Sequence, residues 1–157
     1  MASSDDWKLP WNGGCRCGKT RFRVTAPPLL AAACHCTGCQ RMTASAFSLS
    51  LAIPEAGFTV TAGEPVIGGL HGASQHFMCA YCLSWMFTRP DGLPDIVNLR
   101  ATMLDDCAWF EPFVDLWTAE KLPWATTGAP NSYPTLPSPE TFPKLVAEYS
   151  QHGARPR

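Results

Sequence analysis

From Lys19 to Val24 the chain alternates, with Thr20, Phe22 and Val24 on one side and Lys19, Arg21 and Arg23 on the other. That period of two predicts a half-buried strand with a basic outer face. Ala46–Leu51 alternates again, turning Phe47, Leu49 and Leu51 inward until Pro54 stops the run. Further short strands are predicted at Phe58–Thr61, Val66–Leu70, Gln75–Met78, Trp85–Thr88, Asp95–Leu99 and Phe113–Trp117. Thr37 is placed to cap a short helical turn running to Met42. Near the end, Phe142, Leu145, Val146 and Tyr149 fall on one helical face, with Pro143 in the first turn and Gly153 just past the end. Trp7 and Trp11 are expected over the domain surface, and Trp124 is expected to pack against the body.

Fifteen prolines and twelve glycines in 157 residues interrupt the chain too often for long helices, so a mainly β fold with short helices is expected. From Lys121 onward the density of proline leaves little room for ladder pairing. The length fits one domain spanning 1–157, with its motifs in about 11–125 and a proline-rich segment ending in a short helix over 126–157. A net charge of −1 supplies no basic field for nucleic acid. No apolar run reaches membrane-spanning length, and the first residues lack the charged and apolar regions of a secretory signal. A reducing, cytoplasmic setting is therefore expected, where thiols stay free or bind metal.

Seven of the eight cysteines fall in three clusters: Cys15-Arg16-Cys17, Cys34-His35-Cys36-Thr37-Gly38-Cys39 and Cys79-Ala80-Tyr81-Cys82. That is a zinc pattern. A C-x-C pair and a C-x₂-C turn each converge two sulfurs on one ion, and two such pairs make a closed four-thiolate site. Cys15, Cys17, Cys79 and Cys82 satisfy this arithmetic, leaving Cys34, Cys36 and Cys39 as a three-ligand, open site of the catalytic kind. Spacing leaves another pairing open, in which either neighbouring pair shares an ion with two members of the central run. Three thiolates outweigh the charge of Zn²⁺, so such a centre is a weak Lewis acid, better suited to holding an incoming thiol as a nucleophile.

His35 sits between cysteines that point the other way, which gives it a lining or surface role. His71 and His76 read as ordinary polar residues, Cys107 as a buried inert thiol, and Asp105-Asp106 as a turn. Arg41, two residues after Cys39, suits a carboxylate contact.

At these residues the chain resembles the glutathione-dependent formaldehyde-activating enzyme family, or GFA domain, which includes the centromere protein V-like proteins. The resemblance rests on Gly14-Cys15-Arg16-Cys17-Gly18, on Cys34 to Arg41 with Thr43 and Ala46-Phe47, and on Phe77-Met78-Cys79-Ala80-Tyr81-Cys82. It implies an Mss4-like β fold with two zinc ions. By position, Cys15, Cys17, Cys79 and Cys82 correspond to structural zinc ligands and Cys34, Cys36 and Cys39 to catalytic ones. The implied reaction is carbon–sulfur lyase chemistry, joining glutathione as co-substrate to formaldehyde, with Arg41 and the basic strand face receiving the carboxylates of the tripeptide. Leu83 stands where the family usually has glycine, Cys107 where it often has proline, and Asp115 where histidine is expected. Two rival readings are a zinc-stabilised binding module, its central site closed by His35 or His76, and a thiol-redox enzyme using Cys107.

Overall fold

A computed structural model describes residues 5–157. Eleven strands and two helices follow one another in the order β1 (Trp11–Gly14), β2 (Arg21–Val24), β3 (Leu30–Cys34), α1 (Thr37–Thr43), β4 (Ser48–Pro54), β5 (Phe58–Ala62), β6 (Val66–Gly68), β7 (Gln75–Met78), β8 (Trp85–Arg89), β9 (Ile96–Arg100), β10 (Val114–Leu116), β11 (Asn131–Ser132) and α2 (Phe142–His152). They form a small sheet ordered β1-β2-β5 and a large one ordered β11-β10-β3-β4-β9-β8-β7-β6. The expected mainly β architecture with a C-terminal helix is present.

Alternation along the central strands divides the large sheet into two faces. Ala31 and Ala33 of β3, Leu51 and Ile53 of β4, and Val97 and Leu99 of β9 are all buried on the inner face. Phe22, Val24 and Phe58 of the small sheet join them in one apolar core, and the Phe58 and Phe87 rings meet at 4.8 Å between centroids. Leu30, Ala32 and Cys34 occupy the outer face of β3. In register beside them stand Ala52, Ser50 and Ser48 of β4, then Asn98 and Arg100 of β9 opposite Ala52 and Ser50. β10 runs parallel to β3 and sets Leu116 beside Cys34.

The tryptophans depart from expectation. Trp7 is 1% exposed and Trp11 9%, because both rings pack together and against Trp109, while Trp7 also meets Tyr149 of α2. Trp11 Nε1 donates to the Trp7 carbonyl at 2.8 Å, which satisfies the indole in the core. Trp124, by contrast, is 72% exposed. The proline-rich tail does reach the ladder, since β11 pairs in parallel with β10. In α2, Leu145 and Tyr149 are the buried residues and Gly153 caps the end. No helix among the described residues is long and apolar enough to cross a membrane.

Candidate metal centres

Cys15 and Cys17 occupy the turn joining β1 to β2, and Cys79 and Cys82 the turn joining β7 to β8. The first pair lies in a hairpin turn, not in an extended strand, and Cys15 N–H closes that turn on the Thr20 carbonyl at 3.0 Å. The two tips meet, and their four sulfurs lie within 4.8 Å of one another. Cys15 Sγ is 3.4 Å from Cys17 Sγ, which is 3.8 Å from Cys79 Sγ. A tetrahedron of sulfurs about an ion with Zn–S bonds of 2.3 Å has edges of about 3.8 Å, so the donor set fits zinc.

Backbone and hydroxyl groups support these sulfurs. Thr20 N–H donates to Cys15 Sγ at 3.3 Å, Tyr81 N–H points to Cys79 Sγ at 3.4 Å, and Ser84 Oγ lies 3.2 Å from Cys82 Sγ. The Ser84 contact leads in pulling the Cys82 thiol down to about 5, and a Thr20 contact leads in bringing Cys79 to about 7. The turn closes through Leu83, whose φ of 57° lies in the left-handed region that favours glycine.

The central run is built differently. Cys34 ends β3, Cys36 is the N-cap of α1, and Cys39 lies in its first turn. Cys36, not Thr37, fills the capping role: its Sγ accepts from Cys39 N–H at 3.3 Å, as a serine oxygen would. Gln40 Nε2 donates to the His35 carbonyl at 2.8 Å and the Glu120 carbonyl at 3.0 Å, while Thr37 Oγ1 donates to Glu120 Oε1 at 2.9 Å. These bonds tie the run to the chain after β10. The three sulfurs also lie within 4.8 Å of one another, and all three residues are half-buried.

Among the described residues, no histidine or carboxylate joins this cluster. His35 turns to the inner face, fully buried, where its Nε2 is 3.0 Å from Asp115 Oδ1 and its ring stands edge-on to Phe47. Thr127 Oγ1 donates to the same carboxylate, 2.8 Å from Oδ1. Asp115 thus takes a buried structural partnership, and His35 is interior rather than superficial. His76 Nδ1 is 2.8 Å from Thr88 Oγ1. Cys107 packs against the core, away from both clusters.

Arg100 was not among the residues singled out by spacing, yet it stands beside the central run. Its Nη1 donates to Ser48 Oγ at 3.1 Å, and Ser48 is the register partner of Cys34. A hydrogen bond with Cys34, then Ser48 and the Arg100 charge, pull the Cys39 thiol down to about 6. The same contact with Cys39, with burial, pushes Cys34 up. Burial lowers Arg100 to about 10, against the thiolate charges that favour its cation. The basic strand face is elsewhere: Lys19 Nζ lies 4.3 Å over the Tyr81 ring, and Arg21 pairs with Asp105, both at the four-thiol end. Arg41 is exposed on α1. A cleft of about 420 Å³ is lined by Met42, Ser48 and Arg100 from beside the central run and by Leu83, Ser84 and Trp85 from the β7–β8 turn and the start of β8.

The profile of the glutathione-dependent formaldehyde-activating enzymes matches residues 10–120, which contain both cysteine sets and the turns that bring them together. The chain belongs to the glutathione-dependent formaldehyde-activating enzyme family. Its β-rich fold and two thiol clusters, each able to hold a metal ion, are those of a zinc-binding member of this family. Among solved structures, this family member is similar to a Rhodobacter sphaeroides protein at 19% identity and a TM-score of 0.48, over 60% of this chain and 87% of that one. No curated protein matches the sequence.

Proposed function

We propose that the protein is a carbon–sulfur lyase that joins glutathione, or a similar thiol, to formaldehyde or another small carbonyl compound. One observation carries the reading: a three-thiol cluster that no fourth donor among the described residues joins, beside a complete four-thiol set. On this reading Cys15, Cys17, Cys79 and Cys82 hold a structural zinc, and Cys34, Cys36 and Cys39 hold a catalytic one. A zinc ion bound at the three thiols supplies a soft centre that keeps an incoming thiol in its thiolate form at neutral pH.

The chain contributes charge balance, orientation and room. Three thiolates on a divalent ion leave an excess negative charge, and the buried Arg100 guanidinium offsets it through Ser48. The cleft beside Ser48 and Arg100 accommodates the body of the thiol, and Arg41 on α1 is assigned to one of its carboxylates. In the addition, sulfur bonds to the carbonyl carbon, the C=O π pair moves to oxygen, and oxygen takes up the proton that the thiol lost. Nothing is oxidised or reduced. Eight free cysteines suit a reducing, cytoplasmic setting, with small molecules rather than nucleic acid as partners.

Native mass spectrometry of anaerobically prepared protein tests the reading by counting ions per chain, with and without glutathione. Two zinc ions and a glutathione adduct are expected, with one ion and the adduct lost in Cys36→Ser. A Cys36→Ser protein that keeps both ions overturns the assignment of the central site.

A further inference from the structure

A second cavity, of about 480 Å³, lies on the outer face of the large sheet. Its floor is Leu30 and Ala32 of β3, Ser50 and Ala52 of β4, and Ile96 and Asn98 of β9. Its wall is Leu136, Pro137, Pro139 and Phe142, from the segment that leads into α2. These wall residues fall outside positions 10–120, the part of the chain shared with the family profile.

The floor continues directly into the three-thiol site. Ala32 is two residues before Cys34 on the same face of β3, about 6.6 Å away along the strand. Ser50 likewise precedes Ala52 and follows Ser48, while Asn98 is followed on its face by Arg100. Leu116, which also lines the cavity, is the register partner of Cys34. Polarity therefore changes in steps along one surface. Cys34, Ser48 and Leu116 form the first cross-strand row, Ala32, Ser50 and Arg100 the second, and Leu30, Ala52 and Asn98 the third, with Ile96 beyond them. In a thiol–aldehyde adduct the carbon bound to sulfur carries both the hydroxyl and the aldehyde's substituent, so with sulfur at the thiol row the hydroxyl can meet Ser50 while the substituent extends over the apolar rows beyond. The alanines at 32 and 52 and the serine at 50 keep the floor low enough to admit such a substituent.

We infer that this cavity receives the apolar substituent of the carbonyl substrate, and that the protein acts on aliphatic aldehydes longer than formaldehyde. The inference rests on the thiol-addition reading and names its substrate class. The step is R–SH + R′–CHO → R–S–CH(OH)–R′, in which sulfur bonds to the carbonyl carbon, the π pair goes to oxygen and the thiol proton ends there. R′ lies over Ala32 and Ala52. Each methylene buried there is expected to raise kcat/KM about fourfold, so hexanal, with four more, should exceed acetaldehyde by roughly 250-fold.

The test uses the zinc-loaded full chain and has two readouts. Methyl NMR follows Ala32, Ala52 and Leu136 while unreactive 1-hexanol or ethanol is added; 1-hexanol should shift these signals and ethanol should not. Thiol-addition rates above the uncatalysed background are then compared for formaldehyde, acetaldehyde and hexanal in wild type, Ala52→Phe and Leu136→Asp. The first variant fills the floor. The second places a charge on a wall residue that is 60% exposed, so it preserves the fold even where Ala52→Phe does not. Loss of the hexanal advantage with the formaldehyde rate kept is the expected result. A protein that adds thiol to formaldehyde and acetaldehyde but gains nothing from the longer chain, or whose methyls ignore 1-hexanol, overturns the pocket's role alone. One that adds thiol to no carbonyl overturns the reaction, and this inference with it.

Discussion

The guanidinium carbon of Arg100 lies 4.2 Å from the centre of the Trp85 ring. A cation over an indole face is held by the ring's quadrupole as well as by hydrogen bonds, and here the Ser48 hydroxyl and the Asn98 carbonyl accept from the same group. Three strands thus fix one positive charge beside the central sulfurs. Replacing Arg100 by Met keeps the volume and removes the charge. The Arg100→Met protein should release its central ion at roughly 10- to 100-fold lower chelator concentration while keeping the four-thiol ion. Cobalt substitution, read by its visible absorption during chelator titration, separates the two sites.

Asp115 Oδ1 pairs with His35 Nε2 in the interior, 80 residues apart in the chain. Removing the carboxylate strands the imidazole Nε2 and the Thr127 hydroxyl. Asp115→Ala should cost about 1–3 kcal/mol. Asp115→Asn retains a group that can pair with both, and should cost less than the alanine change. Urea unfolding of the metal-loaded proteins gives the difference.

Leu83 holds a left-handed backbone while 64% exposed, so its side chain has little packing to lose. Leu83→Gly removes the steric cost of that conformation, about 1–2 kcal/mol, and adds the chain entropy of glycine. A net gain of up to about 1 kcal/mol is expected, visible as a rise of a few degrees in Tm.

Asp105 is held below the usual carboxylate range, first by its hydrogen bond with Arg21. Its folded-state pKa is depressed, so the stabilisation is present above the unfolded carboxylate pKa and is lost as pH falls through the folded value. Both side chains are substantially exposed, at 35% and 54%, which keeps the contribution below about 1 kcal/mol. Asp105→Asn should therefore be slightly less stable than wild type at pH 7, and the difference should shrink towards pH 3. Parallel denaturant titrations at the two pH values test this.

Local signals were legible wherever a single element decides the outcome. The strand Gln75–Met78 has the bounds its alternation predicts, and Thr20, Phe22 and Val24 are buried while Arg21 and Arg23 are not. The cysteine clusters were legible because metal ligands keep tight sequence spacing. The Trp7–Trp11 packing was not, since burial there depends on Trp109 and Tyr149 from the far end of the chain. Arg100 escaped notice for a related reason. Its place beside the thiols follows from β9 pairing with β4 and β4 with β3, and strand order is not written in any local pattern. The alternation Asn98, Arg100 beside Ser48, Ser50 was the available hint of a shared polar face.

The two thiol clusters also differ in the moment of synthesis at which each can close. Cys34, Cys36 and Cys39 lie within six consecutive residues, so a growing chain holds that set as soon as Cys39 has emerged. Cys15 and Cys17 must wait for Cys82, another 43 residues (82 − 39), or roughly 2–9 s at 5–20 residues per second. During that interval the central thiols can already draw on the metal supply of the cell, while the first pair remains without partners. Translation thus gives the central cluster first access to metal. An ion held between the two hairpin tips would arrive later, as a fastening between the small sheet and the large one.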